Sequence, residues 1–155
     1  MELTLIRASE QDAALIWQMQ LEAFHDLLTK YQDTDTNPGS ESIDKVLMRL
    51  RQPFTYYYLL QSAEQTVGAI RVVDKQEGGK RKRISPLFIL PTHRGKGFAQ
   101  AAITAVEELH GDTGWELDTI LQEPGNCHLY EKMGYRATGE TRSINEHLTL
   151  VFYVK

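Results

Sequence analysis

The stretch Leu87-Phe88-Ile89-Leu90-Pro91-Thr92-His93-Arg94-Gly95-Lys96-Gly97-Phe98-Ala99-Gln100 carries an apolar strand through a turn with two glycines into an amphipathic helix. The first four N–H groups of a helix have no partner inside it, and they point outward with the positive end of the dipole. An anion can settle there when no bulky side chain intervenes. Gly95 and Gly97 lack Cβ atoms, Ala99 has the next smallest side chain, and Arg94 and Lys96 bring positive charge. A pyrophosphate is a natural occupant; an ordinary turn before a helix is the competing reading. No Gly-Lys-Ser/Thr follows at the spacing of a Walker loop. The third glycine of the dinucleotide fingerprint is absent, and no strand-helix-strand repeat surrounds the turn.

Other reactive side chains point to less. His93 reads as a turn residue rather than a metal ligand. Cys127 and His128 are sequence neighbours on a helix, where adjacent side chains diverge, so they do not make a thiol–imidazole pair. Lys80-Arg81-Lys82-Arg83 follows Gly78-Gly79 and reads as a solvated hairpin, with contact to an anion as the minority reading. Cys127 is the single cysteine, so neither an internal disulfide nor a cysteine-based zinc site is available, and no metal is expected.

The elements that position the glycine turn follow from periodicity. Leu3 to Arg7 alternates as a strand. Ser9 heads a helix with Asp12 as its capping-box partner, and Ile16, Met19, Ala23 and Leu27 share one face. Gln32 to Gly39 is a polar loop. A second helix carries Ile43, Val46, Leu47 and Leu50 on a stripe and ends before Pro53. Extended runs follow at Phe54 to Gln61, Thr66 to Asp74 and Lys82 to Leu90. Pro86 should interrupt pairing in the last of these. The third helix is expected to start near Gly95, with Ala99, Ala102, Ile103, Val106 and Leu109 on one face. Then come a strand from Trp115 to Leu121, a helix near Gly125 to Met133 capped by Gly134, and strands Tyr135 to Arg142 and His147 to Val154. The order describes one mixed α/β domain of about seven strands and four helices over residues 1–155.

Composition is consistent with a single globular domain: 155 residues, 41% hydrophobic, 25% charged. A net charge of −4 disfavours a dedicated nucleic-acid or anionic-membrane binder. No apolar run is long enough to span a membrane and the first residues do not read as a signal peptide, so a cytoplasmic location is the expectation.

The spacing Arg94-x-x-Gly97-x-Ala99, preceded by Leu87-x-Ile89-x-Pro91, resembles the signature of the GNAT superfamily of acyl-CoA-dependent N-acyltransferases. Leu129-Tyr130-Glu131-Lys132-Met133-Gly134-Tyr135 resembles its second motif, Leu-Tyr-x-x-x-Gly-aromatic, and the element order matches as well. The resemblance implies a mostly antiparallel central sheet and acetyl-CoA as co-substrate. The strand with Leu87, Phe88 and Ile89 would splay from its neighbour and pair with the pantetheine arm. Gly95 to Gln100, Phe98 among them, would offer main-chain donors to the pyrophosphate. A main-chain N–H near Ile89 would stabilise the oxyanion. Tyr130 would give a proton to the departing thiolate, although a helix aromatic packed in the core is the bland alternative. The family often has an asparagine seven residues before this tyrosine; here that position is Glu123, and Asn126 either substitutes for it in binding the cofactor or caps the helix.

Direct transfer needs a neutral amine. A lysine-like amine is only about one part in a thousand neutral at pH 7, a deficit of roughly 4 kcal/mol. The resemblance implies a glutamate on the strand with the pantetheine contacts, but Ile84 to Leu90 include none. Of the nearest acidic residues, Glu116, Asp118 and Glu123, the last two are the candidate bases, with solvated or capping carboxylates as the alternative, and an amine of low pKa would need no base. The resemblance places the acceptor pocket among Phe24 to Asn37, Tyr56-Tyr57-Tyr58 and Thr141 to His147. Asp26, Asp33 and Asp35 could attract a cationic amine, or serve only as turn residues. The expected activity is transfer of an acetyl group to a primary amine of a small molecule or peptide, without nucleic-acid or membrane partners and with the family's tendency to dimerise through its last strands. A non-catalytic acyl-CoA-binding module is the alternative.

Overall fold

A computed structural model describes residues 2–155. The strands are β1 (Thr4–Arg7), β2 (Thr55–Ser62), β3 (Gln65–Val73), β4 (Lys82–Ile89), β5 (Trp115–Ile120), β6 (Arg136–Asn145) and β7 (Leu148–Val154). The helices are α1 (Ala13–Tyr31), α2 (Ile43–Arg51), α3 (Phe98–His110) and α4 (Pro124–Lys132). One seven-stranded sheet runs β1-β2-β3-β4-β5-β7-β6, and its only parallel pair among the described residues is β4 with β5. The mixed, mostly antiparallel sheet expected from the sequence is therefore present.

Each face of the sheet has its own core. Tyr57, Leu59, Ala69 and Phe88 pack against Ile16, Met19 and Ala23 of α1 and Val46 of α2. Tyr58, Leu60, Ile70 and Val72 pack against Phe98, Ala102, Ile103 and Val106 of α3, with Leu129 and Tyr130 of α4 at the margin. Ile103 and Val106 are fully buried, worth about 1.5–3 kcal/mol each.

Local chemistry explains most boundaries. The Ser9 N–H donates to Asp12 Oδ2 at 2.9 Å, and a short 3-10 turn precedes α1. α3 starts later than the periodicity suggests. Gly95 and Gly97 both have left-handed φ, +76° and +82°, which excludes them from the helix and makes Gly97 its N-cap. Leu109 is not on the buried face: it is 62% exposed, and the inward turn of α3 ends instead with Glu107 and His110. Glu107 accepts from Tyr135 Oη and Lys155 Nζ, and His110 pairs with Asp74 at 3.0 Å.

The strand order contains one discontinuity. β4 meets β5 only at Lys82–Trp115 and Arg83–Glu116, and after that the two diverge. On its other side, β4 leaves register with β3 between Ile70 and Val72, opposite Ser85 and Pro86. The pairing defect expected at Pro86 is thus a bulge beside a splay.

Candidate active site

The splay opens into a cleft of about 800 Å³. One wall is the β4 segment from Arg83 through Leu87, Phe88 and Ile89; a second is α1 with Ala23, Phe24, Asp26, Leu27 and Lys30. Asp118, Thr119 and Ile120 of β5, Glu123, Asn126, Leu129 and Tyr130 at α4, and Arg142 of β6 also line it, together with part of the loop after α1 from Asp33 to Pro38. Residues far apart in sequence therefore meet here: Leu87 to Ile89, Arg94, Ala99, Asn126, Tyr130, Asp118 and Glu123 all face one space. Gly95, Lys96, Gly97, Phe98 and Gln100 do not line it. Phe98 is buried in the α3 core, so only its main chain is available to a ligand.

From Gly95 to Gln100 no main-chain N–H finds an acceptor among the described residues; the first bond back into the turn is Ala101 N–H to Gly97 O at 3.1 Å. Six successive donors, presented by two left-handed glycines and the start of α3, are thus left free for an anion. A Cβ at Gly95 would meet nothing within 4 Å, so that glycine serves backbone conformation rather than clearance. Arg94 departs from expectation. Its Nη2 donates to Ala23 O at 2.6 Å and its Nε to Ile89 O at 3.1 Å, so the guanidinium ties α1 to the end of β4 instead of standing free beside the turn.

Tyr130 is fixed by the way α4 ends. Gly134, at φ +92°, donates to Glu131 O at 3.1 Å, and the Tyr135 N–H reaches Tyr130 O at 2.9 Å. These are the two bonds of a Schellman ending, and the Tyr130 and Tyr135 rings make its apolar contact at 6.0 Å. The motif Leu-Tyr-x-x-x-Gly-aromatic is thus a stop signal that also aims a phenol into the cleft. Burial, helped by the nearby Asp118 charge, pushes that phenol up to about 12.

Both candidate bases are already engaged. Asp118 is ion-paired with Arg83. Glu123 accepts from Tyr31 Oη and from Lys30 Nζ, the latter at 2.7 Å. Burial pushes the Glu123 carboxyl up, but these two donors and the Lys30 charge outweigh it and hold it below the usual range. Asn126 does not cap α4, because Glu123 is the N-cap; Asn126 lines the cleft one turn from Tyr130.

The sequence pattern of the acetyltransferase (GNAT) family matches residues 17–135. The chain belongs to the acetyltransferase (GNAT) family. Among curated members, it is 37% identical over 79 residues to N-acetyltransferase 8 of Rattus norvegicus, covering 49% of this chain and 36% of that protein. It is 29% identical over 119 residues to human N-acetyltransferase 8B, covering 73% and 52%. The chain spans about half or less of the length of these relatives. The spermidine N-acetyltransferase of Vibrio cholerae, solved with CoA and spermine, superposes at TM-score 0.76 with 19% identity over 97% of this chain and 93% of that one. The PaiA N-acetyltransferase of Thermoplasma acidophilum, solved with coenzyme A, superposes at 0.73 with 12% identity over the whole of both chains. At these identities the likeness shows the GNAT fold.

Some details of this GNAT site escaped the sequence. The Lys80 to Arg83 run is not simply solvated: Lys82 Nζ donates to Thr113 O at 2.8 Å, and Arg83 enters the cleft to pair with Asp118. Parallel pairing of β4 with β5 brings the two together, and no local pattern announces it. Tyr56-Tyr57-Tyr58 lies outside the cleft; Tyr57 and Tyr58 are buried on opposite faces of the sheet. Asp33 lines the cleft but is 3% exposed, its carboxylate accepting the N–H groups of Asp35 and Thr36 at 3.0 and 2.9 Å. Asp35 does not reach the cleft. Lys30 and Tyr31, which neutralise and hold Glu123, were visible only as members of the pocket-forming segment. No helix among the described residues is long and apolar enough to cross a membrane.

Proposed function

We propose that the protein is an N-acetyltransferase that moves an acetyl group from acetyl-CoA to a primary amine, both substrates being bound together. The observation that carries this reading is the run of six unpaired N–H groups from Gly95 to Gln100 at the end of a strand that has lost its neighbour. A diphosphate satisfies such donors, and the exposed β4 edge offers main-chain groups at Leu87 to Ile89 to the pantetheine amides. That two neighbours of the same fold were solved with CoA supports CoA as the ligand.

The amine nitrogen would attack the thioester carbonyl carbon. The C–N bond forms, the C–S bond breaks, and the sulfur leaves as a thiolate. Tyr130, raised to about 12, stays protonated throughout the physiological range and is the donor to that sulfur. Of the two carboxylates, Asp118 is the better acceptor for the amine proton. Glu123 holds two donors and a depressed pKa, whereas Asp118 is close enough to raise Tyr130 by its charge. Asn126, Lys96 and Ala99 belong with the CoA-binding set, and Arg94 shapes its end of the cleft by tying α1 to the end of β4. A location in the cytoplasm and a homodimer through β6 and β7 accompany this reading.

One observation favours a second reading, a non-catalytic acyl-CoA-binding module: Asp118 and Glu123 are each paired with a cation. Incubation with acetyl-CoA and a panel of amines, following free thiol, decides between them. Amine-dependent thiol release supports the transferase; tight CoA binding without thiol release supports the module. No CoA binding at millimolar concentration ends both.

A further inference from the structure

Arg71 of β3 is a buried cation without an acidic partner. It is 9% exposed, and no carboxylate among the described residues pairs with it. Nη1 donates to Ser85 O at 2.8 Å, Nη2 donates to Gln52 Oε1 at 3.0 Å, and the Nε hydrogen finds no acceptor. An unneutralised guanidinium is costly to bury. Burial, with Arg49 and Arg83 nearby, draws its pKa down to about 10. Ion pairing therefore does not account for Arg71, and the two carbonyl-type oxygens that it grips are its structural contribution.

The position of the first oxygen is informative. Ile70 pairs with Leu87 and Val72 with Ile84, so Arg71 alone stands opposite both Ser85 and Pro86. The bulge takes Ser85 out of the ladder, and the Arg71 guanidinium replaces the missing strand partner. Two residues earlier, Arg83 is the last point at which β4 pairs with β5. Immediately after the bulge, Leu87 to Ile89 run along the cleft. The far side of the guanidinium is anchored in turn: Gln52 Oε1 also accepts from Thr55 Oγ1 at 2.8 Å, where α2 leads into β2.

We propose that Arg71 is a positioning residue for the acyl-CoA arm: by gripping the Ser85 carbonyl it fixes the bulge that presents the Leu87–Ile89 main chain to the pantetheine. The inference rests on the acyl-CoA reading above and concerns the pantetheine half of the ligand alone. The Gly95–Gln100 donors, on the other side of the β4 terminus, do not depend on it.

Calorimetry with two probes separates the halves: CoA itself, and 3′-phosphoadenosine 5′-diphosphate, which keeps the phosphates and lacks the arm. In Arg71→Met, CoA affinity is expected to fall about tenfold or more while the nucleotide changes less than about twofold, since a misplaced strand costs only the contacts that it makes. Arg71→Lys should recover part of the loss. Equal losses for both probes, or none, overturn the proposal. Should Arg71→Met not fold, Gln52→Ala and Arg71→Lys carry the same comparison, and an unchanged CoA-to-nucleotide ratio in both overturns it. If the unaltered protein binds the nucleotide but gains nothing from the arm, this inference fails and the diphosphate site stands. If it binds neither, the acyl-CoA reading itself fails.

Discussion

Glu123 accepts a hydrogen bond from Lys30 Nζ at 2.7 Å, joining the start of α4 to the end of α1. The same carboxylate oxygen takes the Tyr31 hydroxyl, and Asn145 Nδ2 donates to Tyr31 O at 2.9 Å. One carboxylate therefore links two elements that line the cleft, and the end of β6 is tied in through Tyr31.

That link has a pH signature. The Glu123 pKa is held below its ordinary 4.5, so its contribution to stability is complete above that value and is lost as pH falls through the depressed one. Glu123→Gln should lower the melting temperature near pH 7, and the difference from the unaltered protein should shrink steadily below pH 4.5. A difference that stays constant across that range would show that the charge is not involved. Lys30 is 60% exposed, so solvent screening keeps the ion pair's contribution to the difference small.

Tyr130→Phe keeps the ring packed beside Tyr135 and Tyr153 and removes only the hydroxyl. Its expected effect is a loss in kcat of about 100-fold or more, in the range for a removed acid, with little change in CoA affinity. Steady-state kinetics paired with calorimetry checks both. Equal losses in turnover and affinity would assign the hydroxyl to binding instead.

Gly97 has φ +82°, a conformation that a β-branched residue resists. Gly97→Val should reorient the N–H groups at the start of α3 and weaken CoA binding about tenfold or more, consistent with a strain of roughly 1–2 kcal/mol plus lost donors. Gly95→Ala, with open space around its Cβ, should pay the conformational cost alone and lose less. Calorimetric titration of the two variants ranks them, and the reverse order would place the cradle elsewhere.

Gly68 pairs with Ile89, and a Cβ there would collide with the Phe88 carbonyl oxygen and come within 3.0 Å of Ile89 Cα. The obstacle is main chain, so it cannot rotate away. Gly68→Ala is expected to destabilise the fold by about 1–3 kcal/mol and to weaken acetyl-CoA binding by displacing the cleft strand. Chemical denaturation read beside CoA titration tests the pair of effects; a fully stable variant with unaltered binding would contradict the close packing.

The sequence alone determined the parts of the molecule ruled by neighbours along the chain. Alternation marked the strands, and the stripe through Ile16, Met19 and Ala23 marked α1. The glycines at 95, 97 and 134 marked backbone that only they adopt without strain, and Leu129 to Tyr135 closes a local Schellman ending that aims Tyr130. Tertiary structure decided everything that depends on which strands become neighbours. Arg83 and Asp118 meet because β4 and β5 run parallel for two residues and then part. Lys30 and Tyr31 reach Glu123 because α1 and α4 flank the same opening, and Arg71 grips Ser85 because one bulge removes a carbonyl from its ladder. A carboxylate in sequence is simply a carboxylate; whether it is a free base or half of an ion pair is set by groups tens of residues away, whose approach no local periodicity records.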